Sequence, residues 1–134
     1  MTLFKTMAAV AALLIFTTSC KDREEKDEVN IGGKGGDATI EATPQHHSLN
    51  IDSCTIYIKY NTKELPSTFD DSAKCVMKGG KPVATFTNLK KGDYYLYGKG
   101  WDPSIIENVK GGIPYTIKEE TTIPVIVPVT EDHE

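Results

Sequence analysis

From Asp37 onward, hydrophobic and polar positions alternate with a period of two, the spacing of strands with one face on a core. Ala38, Ile40 and Ala42 against Thr39, Glu41 and Thr43 predict a first strand, ended by Pro44. Ser53–Tyr60 predicts a second, with Cys54, Ile56, Ile58 and Tyr60 on one face and Thr55, Tyr57 and Lys59 on the other. Asn61–Asp71 carries Pro66 and paired acids and predicts a loop. Ser72–Lys78 predicts a third strand with Ala73, Cys75 and Met77 facing inward, followed by a turn at Gly79-Gly80-Lys81-Pro82. Val83–Thr87, Asp93–Lys99, Pro114–Ile117 and Thr122–Val129 complete the set. Pro124 and Pro128 mark the last as an edge or bulged strand, because proline cannot donate to a ladder. About seven short strands with closely spaced turns and no long helical pattern predict an all-β, antiparallel β-sandwich of one domain.

The most specific fold signal is Phe86-Thr-Asn-Leu89-Lys-Lys-Gly92-Asp-Tyr94-Tyr-Leu96. Phe86 ends a strand facing inward, Leu89 plugs the end of the sandwich at the turn, Gly92 supplies a positive φ, and Tyr94 and Leu96 return to the core. This pattern resembles the transthyretin-like sandwiches, such as carboxypeptidase regulatory-like domains and the B-type repeats of surface adhesins. The resemblance covers 83–98 well and 37–130 loosely. It implies an immunoglobulin-like or transthyretin-like sandwich, often a spacer or carrier, and transfers no functional residue, because its positions are core positions.

Upstream of the alternation the pattern changes. Lys5 precedes a ten-residue apolar run, Met7–Phe16, too short to cross a membrane as a helix. Small polar residues and Cys20 follow, as in a cleavable leader. Phe16-Thr-Thr-Ser-Cys20 resembles a lipobox, with Thr17 in place of the usual leucine. The resemblance implies a signal peptide over 1–19 and a lipidated, N-terminal Cys20 in a bacterial lipoprotein. Its acyl chains make a stable membrane anchor. The alternative is an ordinary secretory signal with an incidental cysteine. Lys21–Glu28 is a run of eight charged residues and predicts a disordered spacer. Cys20-Lys21-Asp22 resembles the signal that sends some Gram-negative lipoproteins to the cell surface, with Arg23 interrupting it. Surface display on the outer membrane is the expectation, the periplasmic leaflet the alternative. Gly32–Gly36 predicts a flexible hinge, so the tether spans 20–36, the sandwich 37–130 and an acidic tail 131–134.

The net charge of −4, or −5 once the first nineteen residues are removed, disfavours nucleic acid as a partner. Lipidation of Cys20 would leave Cys54 and Cys75 as two thiols in an oxidising compartment. A disulfide is the expectation and buried free thiols the alternative. His46 and His47, adjacent on an extended segment, should point opposite ways. They read as solvated loop residues rather than a metal site. No catalytic residue, metal or cofactor is expected. Tyr95, Tyr97, Lys99 and Trp101 share the outer face of their strand if alternation holds, an aromatic face suited to sugar stacking. A bulge at Gly98 or Gly100 would instead turn Trp101 inward. The leading expectation is a non-enzymatic surface lipoprotein whose sandwich binds or spaces an envelope component. A glycan-binding accessory protein is the second, and a small hydrolase or metal-dependent enzyme a distant third.

Overall fold

In the computed structural model residues 30–132 are described. The leader, Cys20 and the charged run lie outside the described residues. The described part is all-β, two sheets packed as a sandwich. Its strands are β1 (Lys34–His46), β2 (Leu49–Asn50), β3 (Ser53–Tyr60), β4 (Asp71–Lys74), β5 (Val76–Lys78), β6 (Lys81–Leu89), β7 (Gly92–Asp102), β8 (Glu107–Ile117), β9 (Thr122–Pro128) and β10 (Thr130–Glu131). One sheet runs β2-β1-β6-β5, with β9 on the other side of β1. The second runs β10-β8-β7-β3-β4. All pairs are antiparallel except β1 with β9, which is parallel.

The core lies between the sheets. Ala38, Ile40 and Ala42 of β1, Ala84 and Phe86 of β6, and Val125 and Val127 of β9 meet Ile56 and Ile58 of β3, Tyr94 and Leu96 of β7, and Val109 and Ile117 of β8. The buried residues of β1, β3, β6, β7 and β9 recur at alternate positions, as period-two burial requires. The β6–β7 corner follows the sequence reading. Phe86, Leu89, Tyr94 and Leu96 are buried and Gly92 has φ +146°. The Tyr94 hydroxyl donates to the Lys90 carbonyl (2.6 Å) and accepts from the Gly33 amide (2.8 Å), the tyrosine-corner arrangement that ties a strand start to its preceding turn.

Several boundaries move. Gly32–Gly36 is not a free hinge. Gly32 and Gly33 are buried, the Gly32 amide donates to Asn61 Oδ1 (2.6 Å), and the Gly33 carbonyl accepts from the Lys90 amide (2.8 Å). The ordered fold therefore starts before Asp37, and Gly35 and Gly36 form a bulge opposite Leu89. Pro44 does not end β1, because the ladder needs only its carbonyl, which accepts from the Ile51 amide (3.1 Å). The expected third strand breaks at Cys75, where the chain passes from the second sheet to the first. Met77 consequently lies exposed on edge strand β5 rather than in the core. β7 and β8 extend well beyond the alternation visible in sequence, pairing without interruption from Gly92↔Ile117 to Asp102↔Glu107 through Gly98↔Gly111. Glycine there answers a packing need. A Cβ on Gly98 would stand 3.1 Å from Ile56 Cδ1 and 3.2 Å from Val129 Cγ1. The acidic tail is likewise folded as far as Asp132, with Glu131 in β10. β9, with its two prolines, pairs only with β1 and is an edge, as expected.

Candidate functional site

The unbroken β7–β8 ladder keeps Trp101 on the outer face with Tyr95, Tyr97 and Lys99. The bulge that would have buried it is absent, and the indole is 40% exposed. The two tyrosines are not a bare platform. Phe69, delivered by the β3–β4 loop, stacks on Tyr97 at 5.7 Å between ring centroids and leans on Tyr57 at 5.3 Å. The loop is held by the Asp70 amide on the Ile58 carbonyl (2.9 Å) and by Asp70 Oδ2, which accepts from the Tyr60 amide (2.8 Å). Tyr95 lies over Gly112, whose added Cβ would come 2.6 Å from the ring. Both tyrosines are half-buried. They stiffen the face, and Trp101 is its exposed ring.

Beside Trp101 an open cleft of about 850 Å³ runs between the ends of β3, β4, β7 and β8. Lys74, Lys99, Asn108 and Asp132 line it, and Cys54 and Cys75 also contribute. The expected disulfide is not formed, and both cysteines are free thiols. They are nevertheless neighbours. The Cys75 amide donates to the Cys54 carbonyl (2.9 Å), and the Cys54 thiol donates to the Thr55 carbonyl (3.7 Å). The neighbouring Cys54 thiol holds the Cys75 pKa below its usual value. Its proximity to Cys75, with burial, pushes Cys54 up. Cys75 is the more accessible and the more acidic of the two.

At the adjoining end of the sandwich the histidines depart from expectation. His47 and Ser48 have φ +53° and +69°, the left-handed pair of a two-residue hairpin joining β1 to β2. This breaks the alternation and brings the two imidazoles to 4.1 Å between centroids. His46 is not a solvated loop residue but buried. Its Nδ1 contacts Asp102 Oδ2 at 2.8 Å, and its Nε2 stands 3.1 Å from Glu131 Oε2. Asp102 is buried too, and its Oδ1 accepts from the Ser104 amide (2.9 Å) and hydroxyl (2.7 Å). The Asp102 hydrogen bond raises the His46 pKa against the opposing effect of burial. Ser104 and then His46 hold the Asp102 carboxyl below the usual range. Sequence reasoning missed His46, Asp102 and Glu131 as a group, because they come from three distant segments. The legible signals were Asp102-Pro-Ser104, a turn-forming sequence, and histidine's tolerance of positive φ.

The surface therefore offers an exposed indole beside a polar cleft, and a buried imidazole between two carboxylates. No protein-family model, curated protein or solved structure matches this chain.

Proposed function

We propose that the protein is a lipid-anchored envelope protein, displayed on the outer membrane, whose sandwich is a non-enzymatic binding module. The observation that carries the binding role is the cleft beside Trp101, where an exposed ring adjoins Lys74, Lys99, Asn108 and Asp132. An exposed ring with charged and amide groups at its edge is suited to a ligand that has an apolar face and a rim of hydroxyls. A glycan is such a ligand, and it is the second reading. A rigid, transthyretin-like sandwich suits this role, since it holds the cleft walls on strands rather than on loops.

The anchor rests on Cys20 at the end of the Met7–Phe16 run. Mass spectrometry of the membrane fraction should find an acylated N-terminus at Cys20. A soluble mature chain starting elsewhere would refute the anchor. Protease added to intact cells should cleave the domain if it faces outward, whereas protection until the outer membrane is permeabilised would place it in the periplasm. In an oxidising compartment the adjacent thiols of Cys54 and Cys75 should close, leaving the isolated chain two hydrogens lighter than its reduced form.

Titration against a glycan panel, followed by Trp101 fluorescence, tests the ligand. Trp101→Ala should weaken a bound glycan by about 1–3 kcal/mol, the scale of ring stacking. A ligand indifferent to Trp101→Ala would remove the cleft from the binding function.

A further inference from the structure

None of the three donors gathered at the β1–β2 turn lines the Trp101 cleft. His46 Nε2 is a buried polar atom with no hydrogen-bond partner. Although 3.1 Å from Glu131 Oε2, it is not aligned for a hydrogen bond to it. With Nδ1 donating to Asp102, a neutral ring turns the Nε2 lone pair toward the Glu131 carboxylate, and a protonated ring points Nε2–H at it without the alignment of a hydrogen bond. A cation between them would satisfy both. The left-handed turn brings a third donor to the same place, with His47 Nε2 3.9 Å from the same Glu131 oxygen. Donor atoms of all three residues lie within 4.8 Å of one another. His47 is 75% exposed, so a small ring rotation can bring it within bonding range at no packing cost.

We propose that His46 Nε2, His47 Nε2 and a Glu131 carboxylate oxygen form a binding site for a divalent transition metal of the zinc class, with Asp102 as positioning residue. Two imidazoles and one carboxylate are a nitrogen-rich set that suits zinc, copper or nickel, whereas calcium and magnesium take oxygen ligands. Three protein ligands leave a fourth tetrahedral position for water or an exogenous donor, and the exposure of His47 turns that position to solvent. Asp102 occupies the place of the carboxylate that commonly receives the second N–H of a metal-bound histidine. Ser104 fixes Asp102 in turn. The metal would join the β1–β2 turn of one sheet to β10 of the other, so binding should stabilise the fold.

The test is calorimetric titration of Zn²⁺ into the metal-free full chain, with thermal unfolding in parallel. One saturable equivalent and a raised Tm are expected. His47→Ala should cut affinity at least tenfold and abolish the Tm rise, measured against the variant's own metal-free Tm. Glu131→Gln should weaken binding similarly, whereas Trp101→Ala should not. Co²⁺ in place of zinc should give visible bands without thiolate charge transfer, and Asp102→Asn should shift those bands and lower affinity about 10–100-fold. Absence of saturable binding, binding unaffected by His47→Ala, or thiolate charge transfer, which would assign the metal to cysteine, would each overturn the proposal.

Discussion

Tyr94→Phe removes a single oxygen from the most buried aromatic of the core, and its cost follows from what that oxygen touches. The Tyr94 side chain is fully enclosed and meets Tyr60 edge-on at 5.8 Å, so the phenyl ring should keep its packing. The lost hydroxyl has two partners with different fates. The Lys90 carbonyl belongs to a half-exposed residue and can turn to water. The Gly33 amide is buried, 2.8 Å from the oxygen, and would be left without an acceptor. An orphaned buried donor costs about 1–3 kcal/mol. About 2 kcal/mol is therefore expected, equivalent to a Tm lower by roughly 8–16 °C in a domain of this size. Urea unfolding followed by circular dichroism measures it, and the slope should not change, since the surface exposed on unfolding does not. Tyr95→Phe is the control. Tyr95 is the next residue along β7, lies half-buried on the outer face, and its change should stay within about 0.5 kcal/mol. A Tyr94→Phe variant within about 0.5 kcal/mol of the parent, or a Tyr95→Phe cost of equal size, would refute the corner as the tie between the N-terminal segment and the fold.

Other substitutions probe the remaining structure. Gly98→Val places methyl groups against Ile56, Val129 and Cys54, already 3.1–3.4 Å from a Cβ, and should cost about 1–3 kcal/mol in the same assay. Leu89→Ala opens a cavity at the enclosed end of the sandwich and should cost about 2–5 kcal/mol. In the reduced chain iodoacetamide should label Cys75 before Cys54. Because Cys75 is held below the ordinary thiol range, its labelling should persist to lower pH than that of a free thiol, and Cys54→Ser should alter this profile. Preferential labelling of Cys54 would refute Cys75 as the more acidic and more accessible thiol.

The sequence alone carried the architecture as far as period-two alternation reaches. Ile56 and Ile58 inward with Tyr57 outward, Phe86 to Leu96 as a buried corner, and Pro124 with Pro128 on an edge strand are each set by local geometry, since a pleated strand must send neighbours to opposite faces. The same rule placed Trp101 outward once β7 was known to run straight. Alternation falls silent where a glycine stands for a side chain. Gly100, Gly111 and Gly112 hid much of the length of β7 and β8, and the need for glycine there comes from the close approach of the backbone of other strands. It also fails where the chain leaves one sheet for the other. The break at Cys75 exposed Met77, although its residues alternate as a strand should. The imidazole cluster was beyond any local reading. His46, Asp102 and Glu131 are separated by whole strands, and two residues in left-handed conformation at the β1–β2 turn reverse the direction that an extended segment would give His47. Period and turn chemistry act between near neighbours in the chain and so can be read from it. A constellation drawn from three strands exists only once the sheets have closed on each other.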